Sequence, residues 1–362
     1  ADGIIVHNCG EQPLPKDGAC NLGSINLSQY VIAPFTTIAS FDFSEFKNDV
    51  AIAIRALDSL IDENLKNHAM DEQKEMSKNY RNIGLGIMGL ADTFAKLGIV
   101  YGSSKSIDLT ETIMKAMLRQ SIITSSELAE EFGTFPKYTN ELFDSEIIKN
   151  VLDDKEIEFY RISGLRNCSL LSIAPTGTLG TMLNISTGIE PNFALSFKRR
   201  TISLGGKEEI HDVYCGVAQE CIDILGTKSL PKYLVTSHDI NWKDRINLQS
   251  AAQKYVDTAI SSTINLPKEI TVEEVEELYL YAWEKGLKGV TIFRDGSREA
   301  ILTLGNEDTK KGDDFFTRPT ELDADVIHFK NDSQQWVAFV GVRDGKPFEI
   351  LTGPVDMELF PI

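Results

Sequence analysis

A strand-like run that ends in a proline–glycine turn constrains the fold of this chain more than any other stretch. The run from Ser169 to Ala174 has the character of a buried strand, and it is followed by the turn Pro175-Thr176-Gly177-Thr178-Leu179. A strand that leads through such a turn toward a helix is a βα unit, so the sequence predicts an α/β fold. Free backbone N–H groups and hydroxyls in the turn can bind an anion, although an ordinary βα connection would use the same residues.

The charge balance limits the partners of the chain. Its 362 residues include 36 basic and 54 acidic side chains, which gives a formal net charge of −18. Binding a nucleic-acid backbone requires a cationic surface, so we expect no nucleic-acid partner, whereas backbone amides can hold the few phosphates of a nucleotide. Five cysteines, an odd number, are typical of a reducing compartment. Since no apolar run reaches the roughly 18 residues of a membrane span, the sequence predicts a soluble, cytoplasmic protein.

Helical periodicity marks three parts of the chain. Residues 44–78 carry one apolar stripe with Ser44 as the expected N-cap, and residues 105–165 show further amphipathic segments. Residues 271–286 begin with Thr271, and Glu274 stands three positions later, which predicts a capping box. These helices are expected to form the core and carry no visible chemistry.

A glycine-rich stretch, Gly84-Leu85-Gly86-Ile87-Met88-Gly89, has the spacing of the dinucleotide-binding motif. That motif needs a preceding strand, so that the glycine turn opens a helix onto the pyrophosphate. The residues before it, 75–82, are polar and not strand-like. We therefore expect the glycines to allow close helix packing, and a nicotinamide-dependent dehydrogenase remains a distant alternative.

The composition changes near the end of the chain. Residues 305–319 are polar and charged, which is typical of a linker. Residues 320–362 alternate like short strands, with Asp344-Gly345 as a hairpin turn. The sequence predicts a small β-rich segment here, which we expect to be truncated.

Two thiols and a carboxylate lie close together near the start of the chain. Cys9 and Glu11 are followed by Cys20, and the intervening prolines and glycine can fold the two cysteines toward one site. A thiol can donate a hydrogen atom or form half of a disulfide, and a carboxylate can move a proton. By spacing alone, however, the favoured interpretation is that both cysteines are small buried apolar residues, the usual role of a cytosolic cysteine.

The complete strings resemble one enzyme family. Cys9-Gly10-Glu11-Gln12-Pro13-Leu14 and Ala19-Cys20-Asn21-Leu22-Gly23-Ser24-Ile25-Asn26-Leu27 resemble the active-site segment of the ribonucleotide reductase catalytic subunit. Three later parts of the chain also resemble motifs of this family and occur in the same order as in its members. They are residues 81–92, residues 174–178 with 188–191, and residues 286–289 with 294–298. The resemblance implies that residues 9–304 are the C-terminal part of a ten-stranded α/β barrel, with Cys9 on a loop inside it.

The resemblance also implies roles for individual residues. Cys9 becomes the thiyl radical that removes the 3′-hydrogen of a ribonucleotide, and Glu11 takes the 3′-hydroxyl proton. Cys20 is one of two thiols that supply electrons, and its partner is expected in an N-terminal half outside this chain. The substrate is held by Gly10 and by the turn residues Pro175, Thr176, Gly177, Thr178 and Leu179.

The Cys-Gly-Glu sequence at Cys9 and the eleven-residue spacing to Cys20 resemble those of the adenosylcobalamin-dependent class of the family. The iron- or manganese-dependent class is the alternative. It relays its radical through adjacent tyrosines near the C-terminus, and this sequence contains no Tyr-Tyr pair. The implied partners are a ribonucleotide (a diphosphate is expected), a thioredoxin-like or other dithiol reductant, the N-terminal half of the enzyme, and a second copy in a homodimer. The five histidines are scattered and predict no metal site.

The first eight residues depart from the family pattern. Family members place Asn-Pro before the Cys-Gly-Glu string, whereas His7 and Asn8 precede Cys9 here. A β-prone run, a penultimate His and a terminal Asn before Cys resemble the end of an intein, because the Asn side chain can cyclise and release the chain that begins with Cys. An ordinary ragged strand is the alternative. We expect residues 1–8 to be an intein remnant, and a catalytically incomplete fragment remains possible.

Overall fold

The computed structural model describes residues 10–202, 208–297, 321–331 and 334–354. The chain divides into two compact units between Gly305 and Asn306. Both helices and strands occur among the described residues, so the predicted α/β class is confirmed. None of the described helices is both long and apolar enough to cross a membrane.

The helices of the first unit are α1 Phe43–Asn64, α2 Asp71–Tyr80, α3 Leu90–Lys96, α4 Ser104–Phe132, α5 Glu146–Lys149, α6 Asp154–Ser163, α7 Gly177–Leu183, α8 Gly216–Leu225, α9 Trp242–Gln253 and α10 Val272–Glu284. Its strands are β1 Asn21–Asn26, β2 Val31–Ile32, β3 Ser40–Phe41, β4 Ile83–Met88, β5 Ser196–Ile202, β6 Glu208–Tyr214, β7 Thr263–Leu266 and β8 Thr291–Arg294. Short 3₁₀ helices span Leu27–Tyr30 and Asn140–Asp144.

Parallel pairing organises the first unit. Strand β1 pairs with β4 from Asn21–Ile83 to Asn26–Met88, and β7 pairs in parallel with β8. Isolated parallel bridges connect Leu85 with Leu171 and Ile173 with Ile260, so the extended segments 169–173 and 258–261 continue the sheet beyond β4. The described strands do not close on themselves. The ten-stranded barrel therefore goes beyond what this chain shows.

The largest apolar cluster of the described residues packs helices against this sheet. The apolar stripe of α1, which includes Val50, Ile54 and Leu57, is buried together with Ile83 and Leu85 of β4. The predicted helix over 44–78 is in fact two helices, α1 and α2. Asp42, not Ser44, caps α1, because its carboxylate accepts the N–H groups of Ser44 and Glu45 at 3.0 and 3.1 Å.

The predicted capping box of α10 is present. Glu274 donates its backbone N–H to the Thr271 hydroxyl at 3.2 Å, and the Glu274 carboxylate accepts the Thr271 N–H at 2.9 Å. These two reciprocal bonds satisfy N–H groups that the helix itself leaves without partners.

The glycine-rich stretch corrects the expectation from sequence. Gly84 and Gly86 lie within the buried strand β4, whereas the polar residues before it form α2. A Cβ on Gly86 would come within 2.2 Å of the Ser172 carbonyl oxygen. The glycines therefore permit close approach of neighbouring strands, not of helices. The dinucleotide motif is not formed either, because it needs these glycines in a turn after a strand.

Replacing Gly86 with alanine should lower the free energy of unfolding by about 3 kcal/mol, because the added Cβ meets a backbone atom that cannot move aside. Gly23→Ala in the paired strand β1 is the matched control, since its Cβ would meet the Leu57 side chain at 3.4 Å. Urea unfolding of the full chain measures both variants. Equal stability of the two would contradict the close-approach role of Gly86.

The second unit is a three-stranded antiparallel sheet in the order β11–β10–β9. Its strands are β9 Asp323–Asn331, β10 Gln334–Arg343 and β11 Lys346–Pro354. The predicted hairpin turn is present between β10 and β11, where Asp344 and Gly345 both have positive φ, 52° and 72°. Such angles are those of a tight hairpin turn. The predicted linker 305–319 lies outside the described residues.

Candidate active site

The segment that follows Cys9 is attached to the middle of the sheet. The backbone carbonyl of Glu11 accepts the N–H of Ala259 at 3.1 Å and the hydroxyl of Ser172 at 3.0 Å. Ser172 stands three residues before Pro175, on the extended segment that leads into the predicted phosphate turn. The structure thus brings the Glu11 backbone to the strand that ends at this turn. His7, Asn8 and Cys9 lie outside the described residues.

Gly10 brings a further sequence motif into the same region. It is exposed and has a φ of 80°, a left-handed conformation that favours glycine. A Cβ built on Gly289 would lie 4.0 Å from the Gly10 carbonyl oxygen. The 286–289 motif, which the sequence places far from Gly10, is therefore adjacent to it in the fold.

Gln12 is a residue of this region that the sequence analysis did not single out. Its side-chain amide packs over β4, where a Cβ on Gly84 would come within 2.8 Å of Gln12 Nε2. Both polar atoms of this amide are buried and have no partner among the described residues. The sequence around Gln12 does not predict that its amide is buried, because the amide packs against Gly84, which is distant in the chain.

Cys20 lies at the start of β1, beside α2 and β4. It borders a small cavity of about 20 Å³ whose wall also includes Asn82, Ser77 and His68. The Cys20 Sγ lies 3.6 Å from the carbonyl oxygen of Asn21. Burial raises the pKa of the Cys20 thiol to about 12, and the negative charge of Asp257 adds to the shift. Near neutral pH the sulfur is therefore a protonated thiol, the form that can donate a hydrogen atom or a proton.

Asp257 is a second residue that the sequence analysis missed. Its carboxylate accepts the N–H groups of Leu170 and Leu171 at 2.6 and 2.7 Å. Burial raises the pKa of this carboxyl group, while the two backbone bonds and the charge of Lys288 oppose that rise. The Lys288 ammonium also donates to the Asp257 backbone carbonyl at 2.7 Å. Asp257 thus ties the phosphate-turn strand to the 286–289 motif.

The predicted phosphate turn leads directly into α7. Thr176 has a φ of 51°, and its hydroxyl accepts the N–H of Gly188 at 2.8 Å. This bond attaches the turn to the 188–191 motif. Gly177, Thr178 and Leu179 are exposed in the first turn of α7, where backbone N–H groups have no partner within the helix. The turn can therefore offer amide donors to an anion.

Three other cysteines lie in the described part of the chain. Cys168 borders a separate cavity of about 520 Å³ with Tyr80 and Phe135, and Cys221 is buried in a second apolar cluster. The four cysteines of the described part of the chain are all free thiols. The same part contains no group of three or more His, Cys, Asp or Glu side chains placed to hold a metal ion.

Alkylation of the Cys20 thiol should show its raised pKa directly. We expect the rate of iodoacetamide modification to keep rising with pH toward about 12, because only the thiolate reacts. In urea the rate should level off near the ordinary thiol pKa, roughly 8.5. Because the folded pKa is above the unfolded one, the contribution of Cys20 to stability is lost as pH rises through this window. Peptide mass spectrometry measures the modification, and a plateau near the ordinary pKa in the folded chain would contradict burial of the thiol.

The fold and the site together define a class. Parallel strands packed on helices carry a partly buried thiol, an attached Gly10-Glu11 segment and a turn that offers backbone amides, as in an α/β enzyme domain. The family comparison identifies which one: a model described as the ribonucleotide reductase barrel domain matches residues 7–293, so the chain belongs to this family. A second model, the NrdJ homologue C-terminal domain, matches residues 322–362.

Curated relatives are consistent with this membership. A vitamin B12-dependent ribonucleoside-diphosphate reductase from Thermoplasma acidophilum is 33% identical over 323 residues, which cover 84% of this chain and 39% of the relative. A protein of the same name from Mycobacterium tuberculosis is 32% identical over 311 residues, 80% of this chain and 41% of the relative. A ribonucleoside-diphosphate reductase subunit alpha from Chlamydia pneumoniae is 28% identical over 353 residues, which cover 85% of this chain and 32% of the relative. This chain thus spans about two fifths of the length of the first two relatives.

Proposed function

We propose that this chain is the C-terminal part of an adenosylcobalamin-dependent ribonucleotide reductase, which converts ribonucleoside diphosphates to 2′-deoxyribonucleotides by thiyl-radical chemistry. The observation that carries the proposal is the bond from Ser172 to the Glu11 carbonyl at 3.0 Å. It ties the residue two positions after Cys9 to the strand that enters the phosphate turn. Ser172 is about 10 Å of extended chain from Pro175, a distance that a nucleotide can span.

In this proposal the turn and the thiols act on opposite ends of one substrate. The amides of residues 177–179 bind the phosphates, and Gly10 lines the ribose. The Cys9 sulfur removes the 3′-hydrogen, and the Glu11 carboxylate takes the 3′-hydroxyl proton. The 2′-hydroxyl then leaves as water with a proton from the thiol pair, and Cys20 and its partner thiol supply two electrons and become a disulfide. Cys9 returns the hydrogen to C3′ and is again a thiyl radical. The balanced reaction consumes one dithiol for each ribonucleotide reduced.

The raised pKa of Cys20 suits its assigned step. A thiol that remains protonated at neutral pH holds the hydrogen that the substrate requires. It is also protected from reaction as a thiolate before substrate binds. After turnover, an external thioredoxin-like or other dithiol must reduce the disulfide again, by thiol–disulfide exchange.

Exposed apolar side chains beside the turn fit the proposed cofactor, adenosylcobalamin. When bound, adenosylcobalamin supplies the unpaired electron that makes Cys9 a thiyl radical. It carries a broad ring system with apolar faces. The side chains of Leu179, Met182 and Leu183 on α7 are 46%, 75% and 51% exposed beside the turn, and these residues would contact it. The names of the Thermoplasma and Mycobacterium relatives support this class over the iron- or manganese-dependent one.

The remaining parts of the proposal concern the rest of the enzyme. The N-terminal half would complete the ten-stranded barrel and carry the partner of Cys20, and two copies would form a homodimer in the cytoplasm. Residues 1–8 are proposed to be an intein remnant. The family match begins at residue 7, inside this segment, so it does not separate the intein from an ordinary lead-in.

The direct test is turnover by this chain joined to its N-terminal half. With adenosylcobalamin, a ribonucleoside diphosphate and dithiothreitol, we expect 2′-deoxyribonucleotide to accumulate, measured by chromatography. The same mixture without adenosylcobalamin is the control. Equal product in both mixtures would contradict the cofactor assignment, and product in neither would contradict the reductase itself.

A further inference from the structure

The cavity of about 20 Å³ beside Cys20 also reaches a histidine, and no step proposed above uses it. The wall is built from the start of β1, from α1 and α2, and from the loop between these helices, which contributes His68. Cys20 and His68 are the two titratable side chains among the described residues of this wall. A thiol and an imidazole that border one small space can exchange a proton, because each can gain or lose one.

The cavity has room for one water molecule between the two side chains. Its volume of about 20 Å³ exceeds the roughly 10–15 Å³ that a buried water needs, and such a water also requires about two to four polar partners. Besides the thiol and the imidazole, Ser77 and Asn82 border the cavity and are 6% and 8% exposed. Because Asn82 Oδ1 accepts the Ser169 hydroxyl at 3.3 Å, its Nδ2 is the atom that can donate to the water.

A series of hydrogen bonds fixes the position of His68 relative to Cys20. The His68 N–H donates to the carbonyl of Asn64, the last residue of α1, at 3.0 Å. The Asn64 side chain donates to Asn21 Oδ1 at 2.9 Å, and the Cys20 thiol donates to the Asn21 carbonyl at 3.6 Å. The loop that carries His68 is therefore attached to the residue next to Cys20, although the two lie far apart in the chain.

The other charged groups near this pair are not proton donors to the thiol. The Asp257 carboxylate acts on Cys20 by its negative charge, and the Lys288 ammonium is bound to the Asp257 carbonyl at 2.7 Å. At the end of α1, Lys66 pairs with Glu63 at 2.7 Å, and both side chains are largely exposed to solvent. His68 is therefore the group of the cavity wall that can carry a proton near neutral pH and release it toward the sulfur.

Cys20 is a poor leaving group without such a donor. Thiol–disulfide exchange is slower when the departing thiol has a higher pKa, and the pKa of Cys20 is raised to about 12. Cys20 is also partly buried, so a reductant reaches the sulfur of its partner and Cys20 is the sulfur that departs. A proton delivered to Cys20 as its bond breaks removes this obstacle.

We propose that His68 donates this proton, through one water molecule in the cavity, when a disulfide at Cys20 is reduced. The inference rests on the proposed function, in which Cys20 and a partner thiol become that disulfide.

The step balances in atoms and electrons. A thiolate of the external dithiol forms a bond to the partner sulfur as the bond from the partner to Cys20 breaks, and the electron pair of the broken bond moves to Cys20 Sγ. The sulfur takes a proton from the water, and the water takes one from the His68 imidazolium, which is partly exposed and is protonated again from solvent. The second thiol of the reductant then displaces the partner sulfur and gives it its proton. The external dithiol is oxidised to a disulfide, and the two protein thiols are reduced.

The test follows the reduction of a methylthio disulfide on Cys20 in the full chain. Methyl methanethiosulfonate places a small outer sulfur on Cys20, and dithiothreitol attacks this outer sulfur, so that Cys20 departs as in the proposed step. Peptide mass spectrometry after acid quenching measures the rate constant relative to the concentration of dithiothreitol thiolate. We expect this rate constant to be at least about tenfold higher at about pH 6 than at about pH 8, since imidazole loses its proton in this range.

His68→Gln should remove this difference by lowering the rate constant at about pH 6 at least about tenfold. Added imidazole should restore the rate of His68→Ala. His328→Gln, which replaces an exposed histidine of β9, is the matched control and should react as the wild type does. Cys168 provides a control within the same molecule, because the described wall of its cavity contains no histidine. Its methylthio group should be reduced at the same rate in every variant.

Two results would overturn the proposal. One is a wild-type rate at Cys20 in His68→Gln at about pH 6. The other is an equal change at Cys20 and Cys168, which only a general loss of structure would produce. The measurement uses neither a nucleotide nor adenosylcobalamin, so it separates this proposal from the proposed function. Turnover by the joined enzyme without an effect of His68→Gln would refute the role of His68 alone, whereas the His68 effect without turnover would count against the reductase alone.

Discussion

Replacing Cys9 with serine in the assembled enzyme should lower turnover by more than about 10³-fold, while nucleotide affinity stays within about twofold. A hydroxyl is slightly smaller than a thiol and does not form the sulfur radical that the proposed mechanism requires. The contacts that hold the segment are backbone contacts of Glu11, with Ala259 and Ser172, and serine does not disturb them. Deoxyribonucleotide formation measures turnover, and equilibrium dialysis of the substrate measures binding.

Cys168→Ser is the matched control for this experiment. Its thiol is half-buried and borders a different cavity, with Tyr80 and Phe135. Turnover by this variant should remain near that of the wild type. Substantial turnover by Cys9→Ser would refute the radical role of Cys9. If Cys9→Ser lost nucleotide binding together with turnover, the Cys9 thiol would instead have a structural role.

Replacing Asp58 with alanine should lower the free energy of unfolding by about 3 kcal/mol, because it removes the buried partner of the Arg81 guanidinium and leaves only the exposed carboxylate of Asp62 to pair with it. The Asp58 side chain is 5% exposed and receives two bonds from Arg81, at 3.0 and 2.8 Å. Asn167 Nδ2 also donates to it at 2.8 Å. Asp58 therefore joins α1 to the start of β4 and to the segment before the phosphate-turn strand. Urea unfolding followed by circular dichroism measures the loss.

Asp62→Ala provides the comparison within the same network. Its carboxylate also accepts from Arg81, at 2.7 Å, but its side chain is 55% exposed. Water can replace this partner, so the expected loss is at most about 1 kcal/mol. Equal losses from Asp58→Ala and Asp62→Ala would show that burial does not decide the cost in this network.

The accuracy of the sequence predictions depended on how local each signal was. The capping box of α10 and the hairpin turn at Asp344-Gly345 involve residues within a few positions of each other, and both are present. The glycine stretch at 84–89 was interpreted wrongly, because the reason for Gly86 is the Ser172 carbonyl, far away in the chain. The sequence also does not predict the end of α1 at Asn64, since Leu65 continues the apolar spacing of the helix.

The amino-acid sequence by itself determined the class of the fold, the family and the residues assigned to the chemistry, because these reside in short strings and local periodicities. Only the tertiary structure decided that Glu11 bonds to Ser172 and that Asp257 ties the phosphate-turn strand to Lys288. Each of these facts depends on which strands become neighbours. Long-range pairing is set by the packing of the whole core, and no local stretch of the chain encodes it.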